Sequence, residues 1–292
     1  MVSVGQTRGR PPARHDARVR AWVNGRLLDD ASEPAVVVSD HGVTVGDGVF
    51  EAIKVLDGQP FALTLHLDRL VRSAEGLGLV APDLEAVRRG VEAVLDGTSW
   101  PMARLRVTFT AGPAPLGSGR GHGEPTLIVV ADELPASAPD VAVVTVPWPR
   151  NERGALAGLK TTSYAENVVA LAEAKRRGGT EAVFANTAGD LCEGTGSNVF
   201  YVVDGELRTP TLASGCLAGI TRELVIEWCG ATEVDAPLTE VLAGASEAFL
   251  VSTTRDVQAI ARWDDRDLPA PGPITKQCAQ TWASREAETM EP

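Results

Sequence analysis

GLKTTSYAENV, residues 158–168, is the stretch from which the rest of the sequence can be organised. The chain has four lysines and twenty-three arginines, so arginine is its ordinary cation and each lysine needs a reason. Lys54, Lys175 and Lys276 have ordinary explanations. Lys160 does not: it follows Leu159 and precedes Thr161, Thr162, Ser163 and Tyr164, with no acidic neighbour. A desolvated lysine can lose its proton and act as a nucleophile, which an arginine cannot. Ser163 and Glu166 form an S-x-x-E capping box, which predicts a helix starting just after Ser163. That helix should end at KRRGG (175–179), where positive charge suits the C-terminal dipole and glycine permits the left-handed cap. Lys160 therefore sits at the end of a short extended piece, immediately before a helix.

Working outward, the pattern alternates between strands and helices. Asn24-Gly25 and Asp57-Gly58 are hairpin signals, and a further Asp-Gly lies within SNVFYVVDGELRTP. AVVV (35–38), the Val49/Ile53/Val55 run, ARLRVTFTA, TLIVVA (126–131), VAVVTV, EAVFAN and EAFLVSTT read as strands. In ARLRVTFTA, Leu105, Val107 and Phe109 alternate with Arg104, Arg106 and Thr108. Leu67, Leu70, Val71, Ala74 and Leu77 fall on one helical face, as do Leu84, Val87, Val91, Val94 and Leu95. GITRELVIEW opens another helix, and a last one runs from about Pro273. The expected fold class is mixed α/β (α+β) in two or more layers, not a regular βαβ series. Pro/Ala/Ser-rich ELPASAPD marks an interdomain linker at 134–140. It separates a small N-terminal domain (21–133) from a larger C-terminal one (141–287). Residues 1–20 read as a disordered basic tail.

With 292 residues, 44% hydrophobic and 23% charged, the chain has the composition of a soluble globular protein of about two domains. Its formal net charge of −12 argues against a nucleic-acid partner, which would need a basic footprint. No apolar run is long enough for a membrane span, and the N-terminus lacks a signal-peptide apolar core. Cys192, Cys216, Cys229 and Cys278 show no metal-site spacing, so no metal is expected and a cytoplasmic location fits.

Four features accompany Lys160. Glu193 heads a run of small residues, EGTGSN, ahead of an apolar strand. It is either a solvated carboxylate or one that faces a buried cation. Gly219-Ile220-Thr221 leads into a helix whose free N–H groups could hold a phosphate. VSTT (251–254) ends a strand in hydroxyls, and Arg69 lies at the edge of an apolar helix face, either in a surface ion pair or as a phosphate fork. There is no GxGxxG after a strand and no P-loop, so a nucleotide site has little support. A nucleophilic amine, a carboxylate for a cationic ring and several phosphate donors make up the inventory for pyridoxal 5′-phosphate.

The segments GDGVFEAIKV, HLDRL, LKTTSYAENV, EGTGSNVF, GITREL and VSTT, in this order over about residues 38–256, resemble the class IV (fold type IV) PLP-dependent enzymes. These are the branched-chain and D-amino-acid aminotransferases and the 4-amino-4-deoxychorismate lyases. The resemblance implies two α/β domains with the cofactor between them, usually in a homodimer. It makes Lys160 the lysine bonded to the cofactor aldehyde and Glu193 the partner of the pyridine nitrogen. Arg69, the Ile220 and Thr221 amides and Thr253 become the phosphate cup, with Tyr164 near the cofactor's O3′. For substrate it implies Phe50, Thr254, and Arg120 with His122, which resembles an Arg-x-His carboxylate clamp. Phe50 stands where D-amino-acid enzymes carry a tyrosine, and Ala52 where the lyases commonly carry a threonine. The implied activity is transfer of an amino group between a small amino acid or amine and a 2-oxo acid. The alternatives are elimination of pyruvate to give 4-aminobenzoate, or a catalytically silent binding subunit.

Overall fold

The computed structural model describes residues 19–292. Most of the expected basic tail lies outside them, and its last two residues, Val19 and Arg20, already belong to the first strand. Three Asx-Gly pairs set the local turns. Asn24-Gly25, Asp57-Gly58 and Asp204-Gly205 take positive φ at both positions, as a two-residue type I′ hairpin requires. They join β1 (Val19–Val23) to β2 (Arg26–Leu27), β3 (Gly48–Leu56) to β4 (Gln59–Pro60), and β10 (Asn198–Val203) to β11 (Glu206–Thr209).

With β5 (Met102–Thr110) and β6 (Thr126–Glu133), the first four strands form an antiparallel sheet of order β2-β1-β6-β5-β3-β4. Its strands alternate as the sequence predicts. Val49, Ile53 and Val55 join Leu105, Val107 and Phe109 on one face. There they meet Leu67, Leu70 and Ala74 of α2 (Leu63–Gly76) and Val87, Val91 and Val94 of α3 (Leu84–Leu95). Each such fully buried side chain contributes about 1.5–3 kcal/mol. The opposite face carries Phe50, Ala52 and Lys54, paired in register with Thr108, Arg106 and Arg104. Leading into β3 is the short helix α1 (His41–Thr44).

The second sheet begins after Glu133, with β7 (Asp140–Thr145). β8 (Glu181–Ala185), β9 (Leu191–Gly194), β12 (Thr232–Glu233), β13 (Glu247–Ser252), β14 (Asp256–Trp263) and β15 (Arg266–Asp267) complete it with β10 and β11. Its order is β12-β11-β10-β13-β14-β7-β8-β9, with β15 pairing β14. β7 and β8 are parallel and are joined through α4 (Ala165–Arg176), which covers Val144, Ala182 and Phe184. β10 is buried on both sides. Val199 and Tyr201 face one core with Leu238 and Val241 of α6 (Leu238–Gly244). Phe200 and Val202 face another, under α5 (Ile220–Cys229) and α7 (Pro273–Glu288). This two-sided burial explains the unbroken apolar run in NVFYVV.

Two local expectations differ from the structure. Residues 35–38 form no strand: they are a loop, with Val37 and Val38 53% and 89% exposed. The S-x-x-E capping box does not form either. α4 starts one residue late, with Tyr164 at its N-cap and no side-chain cap. The Ser163 hydroxyl donates instead to the Gly46 carbonyl (3.1 Å), and Glu166 pairs with Arg150. Both groups found longer-range partners than the local box offers. Among the described residues, no helix is long and apolar enough to cross a membrane.

Candidate active site

The segment carrying Lys160 belongs to no regular element; it is stitched to β3. Phe50 N–H donates to the Lys160 carbonyl (2.9 Å) and Thr162 N–H to the Gly48 carbonyl (2.8 Å). The Thr162 hydroxyl donates to the Gly46 carbonyl (2.8 Å), and Lys160 N–H to Ser73 Oγ of α2 (3.2 Å). The hydroxyl run after the lysine is thus largely structural. It fixes the Lys160 backbone against the first sheet while the side chain enters a cavity of about 360 Å3.

The Lys160 amine lies 4.5 Å from the Phe50 ring centre, and Phe50 meets Tyr164 edge-on at 5.1 Å. Burial, reinforced by the Arg69 charge, lowers its pKa from 10.5 to about 8, against the opposing pull of Glu51 and Glu193. Burial likewise pushes the Tyr164 hydroxyl up.

Glu193, the penultimate residue of β9, lines the cavity. One oxygen accepts from Leu217 N–H (2.9 Å) and the other lies 3.1 Å from Arg150 Nε. Burial raises its pKa, while Arg150 and the Leu217 amide oppose the rise. Arg150 itself stacks on Phe184 at 4.1 Å. It donates to Glu166 (2.5 Å) and to Asn167 Oδ1 (2.8 Å), and Asn167 in turn donates to the Thr195 carbonyl (2.7 Å).

Arg69 is buried on α2 and held as a fork by Glu51 of β3, through Nε (2.8 Å) and one terminal nitrogen (2.7 Å). His66 Nδ1 closes on the same carboxylate at 2.7 Å. Burial would raise the Glu51 carboxyl, but Arg69 and His66 outweigh it and bring it down to about 2. The other terminal nitrogen of Arg69 donates to the Ala218 carbonyl (3.0 Å), one residue before the Gly219 N-cap of α5. Gly219 has no room for a side chain, because a Cβ there would sit 2.1 Å from Asn198 Oδ1. The helix therefore opens directly onto the cavity, with its first-turn N–H groups unsatisfied by the helix itself. Across from it the β13–β14 turn brings Thr253 and Thr254 to the same wall. Among the described residues, no protein partner engages the hydroxyls of Thr221, Thr253 or Thr254.

Eight residues singled out from sequence thus line one cavity: Arg69, Lys160, Tyr164, Glu193, Ile220, Thr221, Thr253 and Thr254. Phe50 lies beneath Lys160. Arg120 and His122 do not line the cavity of their own chain. Arg120 is consumed elsewhere: it forks onto Asp47 (2.7 Å twice) and donates to the carbonyls of Leu77 (2.7 Å) and Gly78 (2.6 Å). The sequence reading missed Glu51 and Arg150, and gave Arg106 only its place in the alternation of β5. The Arg106 guanidinium lies over the Phe50 ring, 3.8 Å from its centre, beside cavity-lining Ala52. Strand alternation could have placed Arg106 with Ala52, whereas Glu51 and Arg150 have no local signal.

The family model for class IV amino-transferases matches residues 48–263. The chain belongs to the class IV aminotransferase family. Among its relatives is a putative branched-chain-amino-acid aminotransferase of Methanocaldococcus jannaschii. It is 33% identical over 270 residues, covering 89% of this chain and 93% of that protein. A D-alanine aminotransferase of Bacillus licheniformis is 30% identical over 271 residues, covering 88% and 94%. Among solved structures, a hypothetical aminotransferase from Mycobacterium tuberculosis in PLP-bound form superposes with a TM-score of 0.80. It is 26% identical and covers 91% of this chain and 98% of that one. This enzyme accordingly has the fold type IV architecture and is a transaminase, as the sequence reading expected.

Proposed function

We propose that the cavity binds pyridoxal 5′-phosphate and transfers amino groups between a carboxylate-bearing amino acid and a 2-oxo acid. The observation that carries this reading is the Lys160 amine, lowered to about 8, facing a cavity that also receives Glu193 and the α5 N-terminus. The donor set fits the group. The α5 amides, the uncommitted hydroxyls of Thr221, Thr253 and Thr254, and Arg69 suit a phosphate dianion. Glu193 suits a cationic ring nitrogen, and a neutral amine at Lys160 suits an aldehyde. When bound, the cofactor supplies the electron sink that lets an amino acid's α-carbon lose its proton.

The remaining work falls to residues of this chain. Arg150 and the Leu217 amide hold Glu193 in orientation and favour its ionised form. Glu51 fixes the Arg69 guanidinium, so that its charge faces the α5 entrance in one geometry. Lys160 Nζ takes the proton from the substrate's α-carbon. Arg106 makes no ion pair among the described residues, and it supplies the charge that meets the substrate carboxylate. Ala52, in the cavity wall, offers no hydroxyl, which favours transfer over elimination. The exposed apolar side chains Val38, Val43 and Leu116 support a second copy of the chain as partner.

Borohydride reduction of the PLP-loaded protein followed by peptide mapping tests the reading, and an amino-donor panel in both enantiomers tests the substrate class. A pyridoxyl adduct on Lys160 is the expected result. An adduct elsewhere, or none, would overturn the cofactor site. Formation of 4-aminobenzoate from aminodeoxychorismate without an amino acceptor would overturn transamination.

A further inference from the structure

Lys54 is one of four lysines in the chain, and only 2% exposed. It leaves the same face of β3 as Phe50 and Ala52 and crosses to the second sheet. There its amine is gripped by Asp256, the first residue of β14, and by Glu286 of α7. Phe61 and Trp282 flank it, each ring centre 5.8 Å from the amine. A single buried cation thus ties the first sheet, the second sheet and the last helix together.

What it grips is the turn that carries Thr253 and Thr254. Ser252 pairs with Asp256 across three turn residues, and Arg255 N–H closes the turn on the Ser252 carbonyl (3.0 Å). Asp256, the strand residue that follows, has φ +56°, in the left-handed region that favours glycine. A side chain has been kept at a position where glycine would be easier, and that side chain is the one Lys54 holds. The other side of the turn is anchored separately. Arg255 donates to buried Glu181 (3.0 Å), which also accepts from Thr195 N–H (3.2 Å) near Glu193.

We propose that Lys54 is a positioning residue: through Asp256 it sets the Thr253–Thr254 turn across the sheet boundary, so that both hydroxyls aim at the ligand's phosphate. This rests on the reading of the cavity given above. Lys54 touches no ligand, and its effect should therefore appear in the phosphate-dependent part of binding alone.

The test compares pyridoxal 5′-phosphate with pyridoxal, by absorbance titration of the apo protein. Lys54→Met keeps the stem between Phe61 and Trp282 and removes the charge, whereas Asp256→Asn keeps the shape and weakens the grip from the other side. In both variants the preference for the phosphorylated ligand should fall about tenfold, the scale of one well-placed hydrogen bond to a charged group, with pyridoxal affinity little changed. A merely structural role would weaken both ligands together, and that result overturns the proposal. So does a wild-type preference in variants that melt normally. If Lys54→Met does not fold, Asp256→Asn decides alone. If the wild-type protein itself shows no preference for the phosphorylated ligand, the reading of the cavity fails, and the clamp with it.

Discussion

The most direct consequence of the geometry is a loosened proton on Lys160. Its pKa of about 8, against 10.5 for an ordinary lysine, leaves about half the amine neutral at pH 8. A free lysine would be neutral to about 0.3% there, so the pocket raises the nucleophilic fraction roughly 150-fold. Competitive acetylation of the apo protein between pH 6 and 11, mapped by peptide, reads this directly, with exposed Lys175 and Lys276 as references in the same tube. The neighbours give signed controls. Arg106 lowers the Lys160 pKa and Glu193 raises it, so Arg106→Met should move the midpoint up and Glu193→Gln should move it down. Stability follows by linkage. The folded value lies below the unfolded one, so the unfolded chain holds the extra proton between about 8 and 10.5. Stability therefore rises with pH across that window, and below it the native state carries the full penalty. That penalty is about 3 kcal/mol before allowance for the partial exposure of Lys160. Lys160→Met should abolish turnover yet stabilise the apo protein at pH 7 by a large part of that figure, with the gain fading between about pH 8 and 10.5. A labelling midpoint above about 9.5 would refute the reasoning, since burial beside Arg69 would then have no hold on the amine.

Glu51→Gln should destabilise the protein by about 3–5 kcal/mol in urea unfolding at pH 7, because it strands the buried Arg69 charge. The Glu51 carboxyl is held at about 2 against 4.5, so its stabilising contribution is whole above pH 4.5 and is lost as pH falls from there toward 2. Arg150→Met should let burial push Glu193 further up, making PLP affinity fall more steeply on acidification in a titration series. Arg106→Gln should raise KM for amino acids about tenfold or more, with little change for amines that lack a carboxylate, in a donor-panel assay.

Much of this was legible in the sequence, and the exceptions share a cause. Helix faces, strand alternation in β5 and the Asx-Gly hairpins are set by neighbours within a few residues, and they appear where expected. Lys160 and Glu193 stood out because their residue type contrasts with an apolar or small-residue setting. AVVV failed as a strand because propensity without a pairing partner does not make one. The Ser163 cap failed because Gly46, 117 residues away, offered its hydroxyl another acceptor. Arg120 is held by Asp47, 73 residues away in sequence. Glu51, Arg150 and the second partner of Lys54 are contacts of this long-range kind, and no local pattern encodes them.

The charges around the cavity also show how a protein with net charge −12 can offer an anion a positive site. Arg69 is neutralised by Glu51, and Arg150 is shared between Glu193 and Glu166. Lys54 is outnumbered by Asp256 and Glu286. These cations act by orienting their partners more than by net charge. Arg106 differs: it has no acidic partner among the described residues, it rests on an aromatic face, and burial lowers its pKa. On the proposed function, the aromatic face would hold this exposed guanidinium in one orientation for an incoming carboxylate. The α5 amides and uncommitted hydroxyls at the other end carry no formal charge, and they suit a phosphate that brings its own. On the proposed function, the site would separate its two anion-binding tasks by chemistry as well as position: dipoles and hydroxyls for the permanent group, and a guanidinium without an acidic partner among the described residues for the ligand that must leave.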